Sequence, residues 1–143
     1  MRRALLVALL ALSALAAPVG TTAASNAVIV VPFDKQGAEG HYVGTACDGG
    51  TIEMQLANSS VTGNVQHFTA TVRLECPGGR ALTAVMDGRF NFTTGKTVLD
   101  GTVADGWLTG AQVHEEGQLV AYDPATKVGR FVGTIRLMPG SAG

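Results

Sequence analysis

Residues 67–76 read HFTATVRLEC. Phe68, Ala70, Val72, Leu74 and Cys76 occupy every second position, with His67, Thr69, Thr71, Arg73 and Glu75 between them. A helix would spread these apolar residues around its circumference. An extended chain gathers them on one face, because successive side chains of a pleated strand point in opposite directions. One apolar and one polar face marks a half-buried antiparallel strand.

The same period recurs on either side. In ALTAVMDGRFNF (81–92), Leu82, Ala84, Met86, Phe90 and Phe92 oppose Thr83, Asp87, Arg89 and Asn91. In TIEMQL (51–56), Ile52, Met54 and Leu56 alternate with Thr51, Glu53 and Gln55, and in RFVGTIRL (130–137) Phe131, Ile135 and Leu137 alternate with Arg130, Thr134 and Arg136. No segment beyond residue 26 sustains a helical period. Turn chemistry separates the runs: KQGAEG, CDGG, NSSVTG, CPGG, TTGK, DG at 105 and DPATKVG. Four of the six aspartates precede Gly, a pair suited to the positive φ of tight hairpins. The prediction is an all-β, single antiparallel domain of about eight strands. An up-and-down β-barrel is favoured and a two-sheet β-sandwich is the alternative. Runs of more than ten residues joined in succession, and the removal of exposed edges, favour closure. Gly88, Gly101, Gly117 and Gly133 are expected at the bends and bulges of a closed sheet. A short echo, GTACDG at 44–49 and GTVADG at 101–106, is read as reuse of one turn chemistry rather than duplication of a half-barrel.

The chain opens with Arg2 and Arg3, followed by small and aliphatic residues from Ala4 to Leu15 broken only by Ser13. This is the layout of a secretory signal peptide. At about a dozen residues the run is short of the ~20 needed to span a bilayer as a helix. Residues 1–24 are therefore expected to be signal peptide and flexible lead-in, cleaved after Ala16 or Ala24, with a β-domain over 26–138 and a disordered tail over 139–143. The expected location is secreted, extracellular or periplasmic. Cleavage would remove two of ten basic residues and leave eight against eleven acidic ones, scattered along the chain. Nucleic-acid binding requires concentrated positive charge, so none is expected, nor is a membrane span in the mature chain.

Cys47 and Cys76 are the only cysteines. In an exported chain such a pair is most simply a disulfide, and a hairpin centred on NSSVTG would bring the two near each other. C-x-x-C spacing, which a redox or metal pair would want, is absent.

Catalytic signatures are not apparent. No serine sits in a nucleophile elbow, there is no phosphate loop or dinucleotide fingerprint, and no cofactor or metal is expected. In DGWLTGAQVHEEGQ (105–118) His114 is followed by two glutamates, but residue 118 is Gln, so the H-E-x-x-H zinc pattern fails. Glu115 and Glu116 are adjacent and on a strand would face opposite ways. Asp100 and Asp105 are assigned to turns. His41, His67 and His114 lie on different expected strands. Trp107, Tyr42 and Tyr122 carry polar handles on aromatic bodies and are the candidate binding residues. The expected function is a secreted, non-catalytic β-domain binding a small molecule, glycan or protein. One alternative is a small-barrel enzyme of isomerase, cyclase or lyase type using interior His, Asp or Glu; another is a structural, envelope-associated protein.

Overall fold

A computed structural model describes residues 26–141; the expected signal segment and cleavage sites lie outside them. Eight strands follow one another: β1 (Ile29–Ala38), β2 (His41–Ala46), β3 (Gly50–Thr62), β4 (Val65–Cys76), β5 (Arg80–Asn91), β6 (Lys96–Gly106), β7 (Gln112–Asp123) and β8 (Val128–Met138). Each pairs antiparallel with its chain neighbours, and β8 returns to β1 to close the barrel. The chain is an all-β, eight-stranded, up-and-down barrel and not a sandwich. Across the closing β1/β8 seam, Arg130 grips Asp34 through both carboxylate oxygens, at 2.9 and 2.5 Å. That guanidinium holds the Asp34 carboxyl below its ordinary range. Among the described residues no helix is long and apolar enough to cross a membrane.

The alternation sets which side chains enter the barrel. Phe68, Ala70, Val72 and Leu74 are buried, as are Leu82, Ala84 and Met86 on β5 and Ile135 and Leu137 on β8. Turn residues follow the conformations required of them. The β1–β2 turn is Glu39–Gly40, with φ of 54° and 79°, the pair of positive angles that a two-residue hairpin of matching twist demands. The disulfide between Cys47 and Cys76 joins the β2–β3 turn to the end of β4, with the Cα atoms 5.3 Å apart.

Several local expectations are corrected. NSSVTG is mostly strand: β3 continues to Thr62, and the turn falls at Gly63–Asn64. Its Asn58, with φ of 53°, lies instead in a β-bulge between Ala57 and Ser60. The other two bulges fall at Thr83/Ala84 and Leu119/Ala121. The four strand glycines therefore sit in regular register, where they permit close approach instead of bending the chain. Phe68 lays its ring over its cross-strand partner Gly88, where a Cβ would collide with it. Asp87–Gly88 and Asp100–Gly101 are mid-strand, and Asp87 is the cross-strand partner of Asp100. Asp105 and Gly106 close β6 and the turn follows them. Pro139–Ser141 form a single 3-10 turn, and residues 142–143 lie outside the described residues. The echoed GTACDG runs from the end of β2 into the β2–β3 turn, whereas GTVADG lies wholly on β6.

Candidate functional site

The hairpins β1–β2, β3–β4, β5–β6 and β7–β8 all turn at one end of the barrel, and the other three turns, with the start of β1 and the end of β8, lie at the opposite end. A cavity of about 160 Å³ opens at the first of these ends. Its walls are apolar: Leu56 of β3, Phe68 of β4, Phe90 of β5, Leu119 of β7 and Phe131 of β8. The aromatic rings form an edge-to-face chain, with Tyr42 to Phe131 at 5.5 Å, Phe131 to Phe90 at 5.6 Å and Phe90 to Phe92 at 5.2 Å between centroids. T-shaped contact at this spacing sets the positive edge of one ring on the negative face of the next. Phe92 and Tyr122, 53% and 57% exposed, stand at the mouth with Lys127.

The deeper part of the site is polar. Lys35 of β1 lines the cavity at 1% exposure and forms an ion pair with Glu115 of β7, which is 0% exposed. Lys35 Nζ also donates to Met54 Sδ at 3.4 Å and lies 4.4 Å from the centre of the Phe33 ring. Thr97 of β6 completes this region. Thr97 Oγ1 and Glu115 Oε2 are buried and have no hydrogen-bond partner among the described residues. A buried ion pair holds only when well matched, because each charge has lost its water. Here Glu115 offers one oxygen to Lys35 and keeps the other unpaired.

The candidate aromatics divide. Tyr42 and Tyr122 both line the cavity. Burial raises the Tyr42 phenol above its ordinary value, and the nearby Tyr122 adds to this. Trp107 lies at the opposite end, in the β6–β7 turn, half-buried against the core with the Arg80 guanidinium 5.3 Å from its ring centre. It closes the barrel and is not part of the cavity.

None of the three histidines enters the barrel. His41 bonds Glu53 on the outer surface at 3.2 Å, and His67 is exposed on the polar face of β4. His114 also faces outward, with Nδ1 2.6 Å from Asp100 and Nε2 3.2 Å from Glu116. The Asp100 hydrogen bond, above all, raises the imidazole pKa. Asp100 is thus a strand residue with a histidine partner and not a turn residue. Among the described residues no three His, Cys, Asp or Glu side chains are grouped to hold a metal ion.

Lys35 is not among the expected site residues and Glu115 is considered only beside Glu116, yet the sequence carries a signal for both. Val31, Phe33 and Lys35 share one phase, as do Val113, Glu115 and Gly117, and each continues an inward series with a charge. An ionisable residue on the apolar side of an alternating strand is the mark of an interior polar site. No family model, curated protein or solved structure matches the chain.

Proposed function

We propose that the protein is an exported, non-catalytic barrel that holds a small molecule in the cavity at its open end. The observation carrying this reading is the composition of that cavity: apolar and aromatic walls around a few polar groups, Lys35 and Thr97 in its depth and Gln66 on β4. Small-molecule sites have this character, since the walls supply burial and a few placed polar groups set orientation. Tyr42 and Tyr122 are the binding residues at its upper part and mouth. Export is supported by the apolar leader and by the Cys47–Cys76 bridge, which suits an oxidising compartment. Midway along β3 and β4 the outward residues Glu53, Gln55, Thr71 and Arg73 are polar, with Val61 exposed near the β3–β4 turn. A lipid-embedded barrel carries its apolar band there, so this reading keeps the barrel in water.

Natively purified protein, extracted and analysed by mass spectrometry, is expected to yield a small apolar molecule. Leu119→Trp, which fills the cavity from β7, is expected to abolish its retention. Wild-type protein that retains nothing, and that binds no ring-sized apolar probe at millimolar concentration, would refute the reading.

The small-barrel enzyme is the second reading. Lys35 and Glu115, an acid–base pair at the cavity, favour it; the histidines do not. An extracted molecule converted by wild-type protein but not by Glu115→Gln would establish it.

A further inference from the structure

Resting on the binding reading above, we infer that the cavity takes a neutral, ring-sized molecule with one carbonyl oxygen, a ketone or an ester, held with that oxygen towards Lys35 and Thr97. Size is the first constraint. The cavity measures about 160 Å³, and an apolar cavity of about 150 Å³ accepts a benzene ring. A single ring with a short substituent therefore fills it, and a larger molecule would have to project through the mouth.

Charge is the second. The Lys35 ammonium is balanced by the Glu115 carboxylate beside it, both shut off from water. A carboxylate or ammonium head on the ligand would add a third, uncompensated charge to this region, and burying such a charge is costly. The other charged residue lining the cavity, Lys127, is exposed at the mouth and is already hydrated. A neutral head group is selected.

Hydrogen bonding is the third. An ammonium carries three donors. Glu115 Oε1 and Met54 Sδ account for two on Lys35, and the third has no oxygen acceptor among the described residues, only the Phe33 ring with its centre 4.4 Å away. The Thr97 hydroxyl is likewise buried without a partner. Both side chains line the same cavity, so its deeper part offers two N–H or O–H donors to a ligand acceptor, while Gln66, also on its wall, already donates to Ser59. A carbonyl oxygen has two lone pairs and can accept from both. An alkane or unsubstituted arene would leave both groups unsatisfied.

Isothermal titration of the intact protein with four probes of one size tests this: acetophenone, ethylbenzene, benzoate and benzylammonium. Acetophenone is expected to bind about tenfold tighter than ethylbenzene, as one net hydrogen bond to a charged donor implies, with both ions weaker than ethylbenzene. Equal affinities for acetophenone and ethylbenzene would show that the head group is not recognised. Tighter binding of benzoate would show Lys35 acting as an unbalanced cation. Either result overturns the inference and leaves the binding reading standing, whereas failure of all four probes removes both. Thr97→Val, a near-isosteric change, is expected to cut the preference for acetophenone to about threefold while ethylbenzene affinity holds. An undiminished preference in that variant would also overturn the assignment.

Discussion

The two ends of the barrel are built from the same strands in the same alternation, yet they serve different ends. At the disulfide end the inward residues are aliphatic and densely buried: Ile52, Leu74, Leu82, Val103, Leu137 and, beyond β6, Ala111. Trp107 caps them from the β6–β7 turn, and the Cys47–Cys76 bridge ties the β2–β3 turn to the end of β4. At the open end the same inward phase supplies Lys35, Tyr42, Phe90, Thr97 and Phe131, which surround space instead of filling it. One end closes the core by packing, while the other forgoes packing for a cavity and an ion pair. The contrast teaches that alternation determines which residues enter a barrel but not whether they fill it. The kind of residue determines that, and aromatic and ionisable groups at the inward positions locate the site.

The largest expected effect lies at the ion pair. Glu115→Ala leaves the Lys35 charge buried without a partner and is expected to cost about 3–5 kcal/mol in urea unfolding. Replacing both groups, as Lys35→Met with Glu115→Leu, is expected to restore wild-type stability or to exceed it by about 1–4 kcal/mol, because apolar side chains of similar volume carry no desolvation penalty. That result would separate the open end from the disulfide end: its polar groups would be present for recognition and not for stability. A double variant as unstable as Glu115→Ala would dissolve the distinction and make the pair structural.

A smaller effect sharpens the same contrast with one chemical change made at each end. Leu137 is fully buried among packed aliphatics, so Leu137→Ala is expected to cost about 2–5 kcal/mol through lost burial and a residual void. Leu119 is half-buried on the cavity wall and already adjoins empty space. Leu119→Ala is expected to cost about 1 kcal/mol, the ordinary size of a point-mutation effect, and to weaken retention of an apolar ligand. Equal losses in denaturant midpoint would mean that the open end packs as the closed end does.

The fold was legible in the sequence because its main determinant is local. A period of two over ten or more residues, as in 67–76 and 81–92, cannot be satisfied by a helix. Strand length and consecutive hairpins then favoured closure. The disulfide was legible from the cysteine count and the expectation of export. Turn placement was less so, because Asn-Ser-Ser and Asp-Gly suit bulges and close strand contacts as well as turns; residues 58–60 and Asp87–Gly88 took those uses. The candidate site was half legible. Tyr42 and Tyr122 were marked by their chemistry, as Trp107 was, but which end of the barrel each aromatic joins depends on the pairing of distant strands. Lys35 and Glu115 are 80 residues apart in the chain. Each interrupts an inward apolar series, yet only closure of β8 onto β1 brings β1 and β7 within reach of each other, and no local pattern encodes that meeting.

The smallest effect belongs to the outer wall, where an ionisable group has water at hand. His114 sits between Asp100 and Glu116, and the hydrogen bond it donates to Asp100 raises its pKa above the ordinary 6.5. A histidine whose folded pKa exceeds its unfolded one binds its proton more tightly in the native state. Its contribution to stability is therefore fully present below pH 6.5 and is lost as the pH rises through the elevated folded value. His114→Gln, compared with wild type in urea unfolding from pH 5.5 to 9, is expected to be less stable at the acid end and to converge with it at the alkaline end. Because Asp100 and Glu116 are well exposed, the difference should stay below about 1 kcal/mol. The contrast with Glu115, one residue along the same strand, is then a matter of face alone. A charged partner removed outside the barrel costs a pH-dependent fraction of a kcal/mol, and one removed inside costs several. A pH-independent gap between His114→Gln and wild type would mean that His114 contributes by packing and not by its charge.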